Sequence, residues 1–258
     1  MNSQKLYFKI TNKKEKHHEF QYYNGLNELI DEFNDNPNNM CIYNNCYFPN
    51  GLYFTDIDHI LEFLEFGVYL REVILPTDDP DFKMVQDGDN KWSANKIILG
   101  KKRNLCDVST FEYLIDNGAD ILAADNCAIR WACTNRHLEI VKFLISEGAN
   151  TRAKDNYSIR YASANGYLEI VQLLISNSAM VHAKDNYAIK WASANGHLDV
   201  VKVLVEAGAD IHAEQNFAVK IASENGHLDV VQYLISCGAN IYDGDNYTQW
   251  ILKMLPNF

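Results

Sequence analysis

The stretch W-A-S-A-N-G-H-L-D-V-V, Trp191 to Val201, decides the fold, because the chain repeats it. Thirty residues earlier, Tyr161 to Val171 reads Y-A-S-A-N-G-Y-L-E-I-V; thirty later, Ile221 to Val231 reads I-A-S-E-N-G-H-L-D-V-V. The pair Asp125-Asn126 returns as Asp155-Asn156, Asp185-Asn186, Gln215-Asn216 and Asp245-Asn246. A fixed period of this size marks a solenoid, in which each unit is too thin to bury its own apolar face and must lean on its neighbours. Full units cover 125–154, 155–184, 185–214 and 215–244, preceded by a half unit at 104–124 and followed by a C-terminal cap at 245–258.

Unit 185–214 shows the local logic. Ala188 to Asn195 has helical composition, with Ile189, Ala192 and Ser193 spaced to share one face, and Gly196 fits a left-handed C-cap. A second helix is expected from Leu198 to Glu206, with Leu198, Val201, Leu204 and Val205 as its buried stripe and Asp199 in the first turn, where the helix dipole favours an acid. Arg136 stands where other units have Gly166, Gly196 and Gly226, and Ser178 where they have Gly148, Gly208 and Gly238. Both are expected to carry a side chain at positive φ, at about 1 kcal/mol each.

With glycine, alanine and leucine columns in register, A-S-A-N-G-H-L-D-V-V-K-V-L-V-E-A-G-A-D-I (Ala192 to Ile211) resembles an ankyrin repeat, and the resemblance covers residue 104 to the end. Ankyrin repeats run to about 33 residues; the shortfall falls after Asp185, where the family carries its β-hairpin finger, so a stunted or absent finger is expected. The family's T-P-L-H is replaced by Tyr187-Ala188-Ile189-Lys190. This variant, in an Asn-, Ile- and Lys-rich chain, is similar to the ankyrin proteins of giant DNA viruses of amoebae. The resemblance implies an intracellular protein-interaction module, a viral scaffold or adaptor acting in the host cytoplasm on a host or viral protein, with no cofactor.

Four columns of the first helices would then line the concave surface. The first holds Tyr157, Tyr187, Phe217 and Tyr247, with Cys127 ahead of them; the second, Arg130, Arg160, Lys190 and Lys220. The fourth holds Thr134, Ala164, Ala194 and Glu224, a position that varies in the family and often contacts ligands. All twelve are candidate partner-binding residues, since Tyr and Arg are enriched in binding hot spots; the aliphatic stems of the basic column could equally pack between units. The third column, Trp131, Tyr161, Trp191 and Ile221, falls at the family's buried leucine and is expected in the core. His137, His197 and His227 recur at helix entries, but helices about 8–10 Å apart are too distant to share a metal bond of about 2 Å. They are read as loop-holding residues.

Residues 1–103 do not repeat. Strands are expected at Leu6–Ile10, Gly51–Asp56, Tyr69–Pro76 and Lys96–Leu99, and a helix at Ile57–Phe66, with a boundary near G-K-K-R-N (100–104). The fold class is thus a small α+β domain followed by an all-α ankyrin-type solenoid. G-L-Y-F-T-D followed by Tyr69 resembles part of an ADP-ribosyltransferase core, with Tyr53, Tyr69 and His17 or His18 as the matching residues. The acid that family needs on a late strand is missing from A-N-K-I-I-L, so the expectation is a non-enzyme, with an NAD-binding first domain as the alternative.

The net charge of −11 disfavours nucleic acid, which needs a positive field. No apolar run suggests a membrane span or signal peptide, the six cysteines show no paired framework, and a monomer is expected.

Overall fold

The computed structural model describes residues 5–17, 20–30, 33, 42–43, 46–47 and 51–240. The proposed cap at 245–258, together with Tyr247 and His18, lies outside them. The chain divides into two compact units, 1–128 and 129–258.

The first unit is built on antiparallel strands: β1 (Tyr7–Thr11), β2 (Lys16–His17), β3 (Phe20–Gln21), β4 (Gly25–Glu28), β5 (Ile42–Tyr43), β6 (Cys46–Tyr47), β7 (Leu52–Asp56), β8 (Tyr69–Ile74), β9 (Met84–Gln86), β10 (Trp92–Ala94) and β11 (Lys96–Asn104). Seven form one sheet in the order β4-β11-β8-β1-β7-β10-β9; β2-β3 and β5-β6 are small hairpins. One face buries Leu52, Phe54, Val73, Trp92, Ile97 and Leu99, with Tyr22 over them. The expected helix is a 3₁₀ helix at Ile60–Phe66, burying Ile60, Leu61 and Leu64. At the expected boundary β11 continues: after a register shift between Leu99 and Lys102, residues 102–104 pair with Tyr69–Arg71. Sequence reading missed β4, β9 and β10, which are short and which tertiary pairing fixes more than any local periodicity. Arg71 is fully buried, its guanidinium held by Glu15, Asn24 and the Gly100 carbonyl.

Then come helices only: α1 (Val108–Asp116), α2 (Ala123–Thr134), α3 (Leu138–Ser146), α4 (Ala153–Ala164), α5 (Leu168–Ser176), α6 (Ala183–Ala194), α7 (Leu198–Glu206), α8 (Ala213–Glu224) and α9 (Leu228–Ser236). In the second unit, α4 packs on α6 and α6 on α8, while α3, α5, α7 and α9 follow one another in a parallel row. Small residues permit this approach: Ala188, Ile189, Ala192 and Ser193 of α6 are all fully buried. In α7 the buried stripe is Val200, Val201 and Leu204; Leu198 and Val205, expected inside, are only half-buried at its edges.

The finger is absent, and a single left-handed turn takes its place. Lys184, Asp185 and Asn186 all have φ between 52° and 59°, and the same triple occurs at 124–126, 154–156 and 214–216. Asp and Asn tolerate this region better than other side-chain-bearing residues. The Asn side chain also reaches the far end of its own unit. The Oδ1 atoms of Asn156, Asn186 and Asn216 accept the backbone N–H of Met180, Asp210 and Asn240, 24 residues on, at 2.7, 2.9 and 3.1 Å. The recurring Asn is therefore both a local backbone device and a tie that closes its own repeat, from the first turn to the loop after the second helix.

Candidate functional site

The first-helix columns interlock. The Arg130 guanidinium lies 5.4 Å from the centre of the Tyr157 ring, Arg160 5.0 Å from Tyr187, and Lys190 Nζ 5.7 Å from Phe217. Each cation of one repeat thus rests on the aromatic ring of the next, an arrangement worth about 0.5–2 kcal/mol per pair depending on exposure. Lys190 is buried and also pairs with Glu214 at 2.7 Å. Tyr157, Tyr187, Phe217, Arg130, Arg160 and Lys220 are half-buried. Packing between units, the other reading of the basic column, describes these three contacts directly.

The third column departs from expectation. Trp131 is buried, its ring tilted against that of His137 at 5.0 Å, but Tyr161 is 38% and Trp191 42% exposed, and Ile221 is half-buried. The cause is angular. With Ala188, Ile189, Ala192 and Ser193 filling the inward face of α6, a residue at 191 points away from it at about 100° per residue. The exposed rings are not loose: Tyr161 stacks on Tyr157 at 4.4 Å, and Trp191 lies tilted against Tyr187 at 5.6 Å. An aromatic strip on α4 and α6 is thereby braced from beneath by rings that the cations already hold.

The fourth column is less uniform than its sequence suggests. Glu224 is exposed, and Thr134 and Ala164 are half-buried, Thr134 Oγ1 donating to the Arg130 carbonyl. Ala194 is buried, so it offers a partner almost no surface. Its carbonyl, left without an intrahelical donor at the end of α6, accepts Asn225 Nδ2 at 2.6 Å and His227 Nε2 at 3.0 Å. The Ala164 carbonyl likewise accepts Asn195 Nδ2 and His197 Nε2. The helix-entry histidines therefore hold the preceding repeat. A carbonyl can only accept, which places the proton on Nε2.

That histidine explains a glycine. A Cβ built on Gly166 would lie 2.6 Å from His197 Nδ1, and one on Gly196 closer still to His227. Arg136 replaces this glycine at φ 60°, and the following histidine is correspondingly Tyr167; the guanidinium lies 5.6 Å from that ring. The two departures are one exchange, a cation over a ring in place of an imidazole over a glycine. Ser178 also has the expected positive φ, 69°. Burial pushes the Cys133 thiol up to about 12, which keeps it unreactive. Burial also lowers the His137 pKa. No group of His, Cys, Asp or Glu among the described residues could hold a metal, and no described helix is long and apolar enough to cross a membrane.

In the first unit, Tyr53 and His17 line one cavity of about 340 Å3, whereas Tyr69 lines another, of about 520 Å3, with Lys102 and Tyr113. The ADP-ribosyltransferase-like constellation is thus divided, and among the described residues no acid lines the Tyr53 cavity. Burial raises the Tyr53 pKa.

Two family models match the chain, ankyrin repeats (many copies) over residues 129–175 and ankyrin repeats (3 copies) over 159–245. Among curated proteins of Acanthamoeba polyphaga mimivirus, putative ankyrin repeat protein R868 is 52% identical over 139 residues, which is 54% of this chain and 65% of that protein. Uncharacterized protein R869 is 48% identical over 139 residues, covering 54% of this chain and 96% of that protein. Putative ankyrin repeat protein R229 is 40% identical over 153 residues, 55% of this chain and 47% of that protein. The chain thus spans about two thirds of R868 and about half of R229. With thirty-residue helix pairs in a row and family models over 129–245, the chain belongs to the ankyrin repeat family, in its mimivirus type.

Proposed function

We propose that the chain is a viral scaffold or adaptor that captures a host or viral protein on the first-helix face of its repeats, in the host cytoplasm and as a monomer. Ankyrin repeats are protein-interaction modules; the finer reading rests on the strip formed by Tyr161 and Trp191. Large aromatic rings exposed to water while their lower faces are fixed by Tyr157 and Tyr187 lose little freedom on binding, which favours affinity. Thr134 and Glu224 flank the strip as polar specificity positions. Arg130 and Arg160 contribute by stiffening it, over Tyr157 and Tyr187, and Lys190 and Lys220 continue the basic column beside it.

The test is affinity capture from infected amoebal cells with wild-type chain and with the Tyr161→Ala/Trp191→Ala variant, followed by titration calorimetry with the recovered protein. The partner should be lost, or weakened by about 2 kcal/mol or more. Undiminished binding by the double variant places the interface elsewhere.

A further inference from the structure

Strand β1 follows β8 along its whole length but leaves β7 after two residue pairs, Tyr7 with Asp56 and Phe8 with Thr55. Where they part, a crevice of about 340 Å3 opens. Residues 8–10 of β1 and 53–55 of β7 line it, with Phe63 and Phe66 of the 3₁₀ helix, His17 and Lys91. This volume lies in the range of small-molecule sites.

Lys9 crosses the gap. Its Nζ donates to the Tyr53 carbonyl at 2.7 Å, beyond the last strand pair, and stands 4.4 Å from the centre of the Tyr22 ring. The residue is 5% exposed. Other buried cations of this unit have carboxylates: Arg71 has Glu15, and Lys96 has Asp79 and Glu28. Lys91, which lies 5.2 Å from the Tyr53 ring, has Asp87. Lys9 meets a carbonyl and a ring, and among the described residues no acid. A buried cation without a counter-ion is costly and sheds its proton to avoid the charge; burial accordingly lowers the Lys9 pKa to about 7. An anion entering the crevice would supply the missing partner, in a setting where charge-assisted hydrogen bonds are strong.

We propose that this crevice binds a small organic anion, a flat apolar body bearing one carboxylate, with the carboxylate against Lys9 Nζ and the body between Tyr53, Phe63 and Phe66. One carboxylate suffices because one amine lacks an acid, Lys91 being paired already. The aromatic lining sets the rest of the ligand's character. This site is independent of the repeat face and of its partner.

The experiment titrates the full chain with 1-naphthoate and with its uncharged analogue 1-naphthamide by calorimetry at pH 7. Naphthoate should bind at least tenfold more tightly. Lys9→Met should abolish that preference while leaving the amide's affinity within about twofold. Phe66→Ala, at a residue 60% exposed and so outside the core, should weaken both ligands severalfold. In the wild-type chain, saturating naphthoate should also protect Lys9 from acetylation, mapped by mass spectrometry, a readout that needs no variant. Equal affinities for acid and amide, no naphthoate binding at millimolar concentration, or unchanged acetylation of Lys9 would each overturn the assignment.

Discussion

Gly196→Ala separates two reasons for a glycine that are usually confounded. Gly196 has φ +72° and faces the His227 imidazole; Gly208 has φ +88° and nothing within 4 Å of an added Cβ. Both substitutions incur the left-handed penalty of about 1 kcal/mol, part of which is returned by the stiffer unfolded chain. Only Gly196→Ala drives a methyl group into a ring, so the ring must move. That adds an overpacking cost of about 1–3 kcal/mol and endangers the bond from His227 Nε2 to the Ala194 carbonyl, worth about 1 kcal/mol. The expected losses are about 2–4 kcal/mol for Gly196→Ala and about 1 kcal/mol or less for Gly208→Ala, read from urea unfolding followed by circular dichroism. In a His227→Ala background the extra cost at 196 should largely vanish, and Gly196→Arg with His227→Tyr should be tolerated as Arg136 with Tyr167 is. Equal losses at 196 and 208, or a Gly196→Ala cost unchanged by removing His227, would refute the packing argument.

Ser178→Gly should raise the melting temperature by about 1–3 °C, since it relieves a side chain at φ 69°; a fall on differential scanning calorimetry would contradict this. Asn186→Ala removes a hydrogen bond that closes its repeat and a residue tolerant of the left-handed turn, and should cost about 1–3 kcal/mol in urea unfolding, against roughly zero for the neighbouring Lys184→Ala. Lys9 sets a pH dependence. Its amine titrates near 7 in the folded chain and near ~10.4 when unfolded. Between these values the unfolded state holds the extra proton, so stability should rise with pH from about 7 to 10, by on the order of 1–4 kcal/mol. Urea melts of wild type and Lys9→Met across that window test it, and parallel slopes would sink the claim.

The period, the helix pairs, the lost finger and the strained Arg136 and Ser178 were all legible in the sequence, because each is a local property: spacing, composition, or a residue standing where glycine belongs. The boundaries of α7 (Leu198–Glu206) were read off its apolar spacing for the same reason. What escaped was the identity of the partners across 24 or more residues. Asn186 reads only as part of the repeating Asp-Asn pair, yet its side chain holds the Asp210 backbone; Arg160 reads equally as a binding residue or as packing between units, and which ring it lies over, Tyr187, is not written in the sequence. Trp191 reads as core, yet its angular position on α6 leaves it at the surface. The sheet order and the parting of β1 from β7, which make the Lys9 crevice, depend on which strands meet, and strand pairing has no period along the chain. Repetition alone fixed that the helix pairs must stack, since no unit can bury its own stripe; only the stacked structure decided which side chains are consumed as bolts between repeats and which are left to meet a partner, because that depends on what the neighbouring unit covers.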